Sequence, residues 1–125
     1  MEQKLRFVVA AMQEVPWPEM TARWQRLEAS GLDGAMLADH FVNFAQPKAH
    51  WFEAWTLLAA LATQTSTIRI GLLSATPWRN PAFLARQAMT VDHISNGRLD
   101  LGLGAGASGA VDISYAMTGT PDWPA

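Results

Sequence analysis

The chain has no cysteine, which excludes disulfides, thiolate metal ligands and cysteine nucleophiles together. Charge is sparse as well. Charged residues make up 16% and the formal net charge is -2, with no basic run, so neither nucleic acid nor an anionic membrane surface is an expected partner. Long apolar runs are missing too. The opening stretch MEQKLRFVVAAMQEVPW is broken at Gln13 and Glu14 before it reaches the length of a bilayer span or the form of a signal peptide, so it reads as the first strand of a soluble protein. No compact spacing of ligands such as HExxH occurs, and no GxSxG elbow, which leaves a metalloenzyme and a serine hydrolase without support. A cytoplasmic location is compatible with all of this and is the expected one.

Half of the residues are hydrophobic, which suits a folded domain and argues against a disordered chain. The six tryptophans are a heavy load for 125 residues, and some are expected to line a pocket or a subunit contact. A strand is expected over about Leu5 to Met12, then a helix from about Pro18 to Ser30 with Met20, Trp24 and Leu27 on one face and Gly31 at its end. A second strand, Gly34 to Ala38, leads through a looser stretch into a helix over about His50 to Gln64, with Trp51, Trp55, Leu58 and Ala62 on one stripe. The third strand, Ile68 to Ala75, precedes Asn80-Pro81, a strong helix start because Asn accepts an orphan amide bond and Pro suits the first helical position. That helix turns Leu84, Ala88 and Val91 inward and stops at Asn96-Gly97, and a fourth strand covers Arg98 to Leu103. Beyond Gly109 there is no clear period. The tight strand-helix-strand succession implies an α/β fold of about four parallel strands and three helices.

In the third and fourth strands Ile68, Ile70 and Leu72 alternate with Arg69, Gly71 and Leu73, and Leu99, Leu101 and Leu103 with Asp100, Gly102 and Gly104. The branched set is expected to face the helices and the second set to face the other way. Matching places then predict a salt bridge between Arg69 and Asp100. The glycines admit either a flat ligand or a neighbouring side chain. Active sites of such folds form at the C-terminal strand ends, which here deliver Gln13 and Glu14, Asp39-His40, Ser74 to Thr76, and Gly104 to Gly109. Asp39-His40 is the most chemical pair, since a carboxylate beside an imidazole fixes its tautomer or raises its pKa, although adjacent strand residues point oppositely. His40 is thus either a catalytic acid or base or a structural loop histidine. His50 reads as solvent-facing and His93 as a complement to a helix dipole. Gly104 to Gly109 matches GxGxxG after a strand, but Asp112, Gly119 and Pro121 follow without an apolar helical stripe, which disfavours a dinucleotide fingerprint.

Four ordered motifs, ADHF, EAWTLLAALA, IRIGLLSATPWRNPAFLARQ and SNGRLDLGLGAG, with SYAMTGTPDW after them, resemble the luciferase-like monooxygenases, a flavin- or deazaflavin-dependent family built on a TIM (β/α)8 barrel. The resemblance covers almost the whole chain, and RNPAFLARQ is closer to the deazaflavin-using branches. It implies that Asp39, His40, Ser74, Thr76, Gly104 and Gly106 line the ring of FMN or a deazaflavin, with His40 as base in hydride transfer. Some deazaflavin-dependent dehydrogenases of the family carry a glutamate where this chain has Ala107, which leaves the small-molecule substrate open. A non-proline cis peptide is expected at Leu73-Ser74 on the same ground. A complete barrel takes ~250 residues, so residues 1–125 are expected to form a single truncated segment, a partial barrel. Its partner would be a second copy or a complementing half, and cofactor binding by the isolated chain would be weak or absent. The rival expectation is a non-catalytic, self-associating half-barrel.

Overall fold

A computed structural model describes residues 4–43, 45–106 and 113–119. The elements in chain order are β1 (Val8–Ala10), α1 (Trp17–Ala29), β2 (Gly34–Ala38), α2 (Ala54–Gln64), β3 (Arg69–Ala75), a 3-10 turn (Thr76–Trp78), α3 (Pro81–Ile94), β4 (Leu99–Gly104) and α4 (Ile113–Thr118). The four strands lie in sequence order, β1-β2-β3-β4, and every pair is parallel. This is the α/β succession of the early part of a (β/α)8 barrel. It carries a fourth helix where the sequence shows no period, because the six residues of α4 are too few to display a stripe.

Local chemistry explains the boundaries. The Glu53 carboxylate accepts the amides of Trp55 at 3.2 Å and Thr56 at 2.8 Å, so α2 begins at Ala54 rather than near His50. Trp51 is left outside the helix, and its indole N–H donates to the His40 carbonyl at 2.6 Å. Asn80 caps α3 as expected, accepting from Ala82 at 3.0 Å and Phe83 at 3.3 Å. Gly31, at φ 78°, supplies the left-handed turn that ends α1.

The sheet divides the molecule into a packed face and an open one. Ala35 and Leu37 of β2 and Ile70 and Leu72 of β3 are buried against Met20 and Trp24 of α1, Leu58 and Leu61 of α2, and Leu84 and Val91 of α3. Each leucine, isoleucine, valine or methionine among them removed from water contributes roughly 1.5–3 kcal/mol. On the open face the expected salt bridge is present: Arg69 grips Asp100 with Nε at 2.8 Å and Nη2 at 2.6 Å. Arg6, just ahead of β1, also reaches Asp100, at 2.9 Å. In a flat sheet β1 and β4 would lie three strand spacings, roughly 14 Å, apart, so this contact reports a sheet curled with its open face concave. No peptide bond is cis among the described residues, so the bond from Leu73 to Ser74 is trans. The β3 ladder runs through it unbroken, pairing Ser74 with Leu103 and Ala75 with Gly104, and nothing there offsets the ~3 kcal/mol a cis bond would cost.

Two charged side chains fasten the N-terminal ends of the strands. The Glu28 carboxylate accepts from the amides of Ser66, Thr67 and Ile68 at 2.7, 2.6 and 3.0 Å and from the Thr67 hydroxyl at 3.1 Å. Arg98 donates to the carbonyls of Ala62, Thr65 and Ile68, closing the C-terminal end of α2. No helix among the described residues is long and apolar enough to cross a membrane.

Candidate active site at the C-terminal rim

Strand alternation decides which residues reach the concave face. Ala35 and Leu37 point to the helices, so Asp39 continues on that side, as Ser74 does after Ile70 and Leu72. Asp39 is 1% exposed and Ser74 0%. The Asp39 carboxylate accepts the Ser74 hydroxyl at 3.0 Å, the Ala75 amide at 3.1 Å and Nε of Arg79 at 2.9 Å, and Nη2 of Arg79 completes a bidentate pair. That same Nη2 donates to Glu53 at 3.0 Å. The oxygens of Asp39 and Ser74 are therefore taken up inside the protein, where they join the ends of β2 and β3 to the start of α2.

The electrostatics follow from this packing. Burial works against the charge of Arg79, but its bonds to Asp39 and Glu53 more than offset that, and its pKa lies above the ordinary arginine value. Burial also pushes the Glu53 carboxyl up, and the Thr56 amide, the Thr56 hydroxyl, Arg79 and the Trp55 amide together hold it below the usual range. The guanidinium lies 5.8 Å from the centroid of the Phe41 ring, within cation-π reach. Trp78 is 6.0 Å from the His40 ring at 56° and 6.4 Å from Phe41 at 38°.

His40 is half-buried beside this cluster, and by alternation it continues the concave-face set of Met36 and Ala38. Thr76, Gly104 and Gly106 are exposed at the same rim, where the Thr76 hydroxyl donates to the Gly104 carbonyl at 2.9 Å. The glycines differ in what surrounds them. A Cβ on Gly71 would lie 2.8 Å from Cε of Met36 and 3.0 Å from the Asp100 carbonyl, and one on Gly102 would lie 2.8 Å from Cδ2 of Leu73. Neighbouring side chains fill those places. At Gly104 the nearest atom would be the Ser74 carbonyl at 3.6 Å, so that backbone stays approachable. Residues 107–112, including Ala107 and the second half of the GxGxxG stretch, lie outside the described residues.

Arg79, Glu53, Phe41 and Trp78 were not singled out from the sequence as site residues. Their signal was present only in part: Asn80-Pro81 reads as a helix start, and Arg79, which carries the rim's guanidinium, directly precedes it. Among the described residues no three His, Cys, Asp or Glu side chains converge to hold a metal ion.

The family model for luciferase-like monooxygenases matches residues 5–124. The chain belongs to that family. Similar curated proteins include an F420-dependent glucose-6-phosphate dehydrogenase of Amycolatopsis mediterranei, 38% identical over 79% of this chain and 29% of that one. A pyrimidine monooxygenase RutA of Serratia proteamaculans is 47% identical over 66% of this chain and 23% of its own length. This luciferase-like chain thus spans under a third of the length of these curated relatives. Among solved structures, an F420-dependent secondary alcohol dehydrogenase covers 96% of it with a TM-score of 0.77 at 23% identity, this chain matching 36% of that one. A riboflavin lyase with modified FMN gives a TM-score of 0.79 at 20% identity, over 97% of this chain and 34% of that one. Both share the fold.

Proposed function

We propose that this chain supplies the first strands of a flavin- or deazaflavin-dependent oxidoreductase, with the cofactor ring lying on the C-terminal rim against Gly104, Gly106 and Thr76. The observation that carries this reading is the opening at Gly104, where backbone rather than side chain faces the rim, within a chain whose family match runs nearly end to end. A bound flavin or deazaflavin supplies hydride acceptance and donation, and with oxygen a flavin supplies monooxygenation. His40 is the residue we assign to hold or deliver the proton that accompanies hydride movement, its carbonyl fixed by Trp51 and its ring set beside Trp78. Asp39 and Ser74 orient this rim from behind rather than touching the ring.

Arg79, the arginine at the rim, is committed to Asp39 and Glu53, so it is not available for a cofactor phosphate. A ring held on one wall without charge-assisted phosphate bonds binds weakly. Titration of the chain with FMN and with a deazaflavin, read by fluorescence, is expected to show weak binding that Gly104→Val abolishes. Unchanged binding in that variant would overturn the placement.

The concave face carries a second reading. Val8, Met12 and Leu73 are 45%, 44% and 51% exposed there, and among the described residues β1 and β4 each have one edge unpaired in the sheet. We assign a second copy of the chain as the partner that covers them, by two-fold association. Light scattering at micromolar concentration is expected to report a dimer or larger, and a compact monomer would refute the assignment.

A further inference from the structure

We propose that Arg79 is a positioning residue for His40, holding the imidazole by gripping the residue on either side of it. The proposal rests on the reading of His40 as the proton-handling group, and its geometry stands independently of any cofactor. Asp39 precedes His40 and Phe41 follows it. Arg79 binds the first through the paired bonds to its carboxylate and lies against the ring of the second at 5.8 Å. A residue whose two chain neighbours are both fixed has little backbone freedom of its own.

The anchor is itself held at several points. The Arg79 side chain is largely buried, and its Nη2 also reaches Glu53, the cap of α2. Glu53 at the start of α2 and Asp39 after β2 meet on one guanidinium, and the end of β3 joins them through Ser74 and Ala75, which donate to the Asp39 carboxylate. Trp78, the residue before Arg79, supplies the wall beside His40 at 6.0 Å. Two consecutive residues of the 3-10 turn and its end thus govern the loop behind His40 and the surface next to it. Lysine cannot replace this arrangement, because an ammonium on a flexible stem lacks the planar fork that holds two carboxylates at once.

The experiment reads the three histidines by proton NMR in the full chain, with His40 assigned from His40→Gln and with His50 and His93 as internal references. In the parent protein the ring protons of His40 are expected to be displaced by the neighbouring Trp78 ring. In Arg79→Lys and Arg79→Met that displacement should shrink or the signal should broaden, while His50 and His93 stay where they are. Should Arg79→Met fail to fold, Glu53→Gln, which keeps a capping acceptor but loses one charge on Arg79, is expected to move His40 in the same direction by less. An unmoved His40 signal in folded Arg79→Lys would overturn the proposal, as would equal displacement of all three histidines. Failure of the cofactor reading would look different, with His40 shifted by Arg79 substitution but FMN and deazaflavin titrations unaffected by Gly104→Val.

Discussion

Substituting Glu28 by Gln isolates how much one negative charge contributes to holding this fold. Glu28 lies in the last turn of α1, and a single carboxylate oxygen accepts the bonds from Ser66, Thr67 and Ile68 that lead the chain into β3. Burial pushes its carboxyl up, but the amides of Thr67, Ile68 and Ser66 and the Thr67 hydroxyl together outweigh that and hold its pKa at about 2, from an ordinary 4.5. A lowering of that size corresponds to about 3 kcal/mol favouring the ionised form in the folded state. Glu28 is partly exposed, and screening reduces the realised figure, so the expected loss in Glu28→Gln near neutral pH is about 2 kcal/mol. The glutamine keeps a neutral acceptor in place, which separates the charge from the shape. With a urea slope of roughly 2 kcal/mol/M the unfolding midpoint should fall by about 1 M, followed through the fluorescence of tryptophans such as the fully buried Trp24. The pH dependence has a definite sign. Because the folded pKa lies below the unfolded one, the stabilisation is complete above the unfolded value and is lost as pH falls from about 4.5 toward about 2. At about pH 3 the gap between parent and variant should therefore be less than half its neutral value. A gap that is unchanged between the two pH values, or absent at neutrality, would refute the assignment of the stabilisation to this charge.

Asp39→Ala leaves the largely buried Arg79 with Glu53 alone and is expected to lose about 3 kcal/mol, seen as a lowered thermal midpoint, with a loss under about 1 kcal/mol contradicting the account of the network. Asp100→Asn should cost only about 1 kcal/mol or less, since Arg69 and Asp100 are each 36% exposed, and the difference should shrink further in high salt. Gly71→Ala must displace Met36 or the Asp100 carbonyl and is expected to lose about 1–3 kcal/mol by overpacking. Gly104→Ala meets nothing closer than 3.6 Å and should lose less than half as much in parallel urea unfolding. Equal losses at the two glycines would show that the concave-face packing is wrong.

Local order accounts for what the sequence determined by itself. The strand Gly34–Ala38, the Asn80-Pro81 start of α3 and the α1 face of Met20 and Trp24 are each decided within about a turn or a pleat, by capping chemistry and periodicity. Even the Arg69–Asp100 pair was legible, because both charges fall on one face of adjacent strands, although the register sets Asp100 opposite Gly71 and Arg69 reaches it diagonally. The same alternation carried a second message. Continuing from Leu37 and Leu72 it turns Asp39 and Ser74 toward the helices, whereas the family resemblance implied that they line the ring. What tertiary structure alone decided lies far apart in the chain: the meeting of Arg79 with Asp39 and Glu53, the reach of Glu28 to the turn before β3, and Arg6 crossing the concave face to Asp100. Those contacts depend on how strongly the sheet curls and where each helix end comes to rest. Curvature and docking are properties of the closed packing, and no spacing along the chain encodes them.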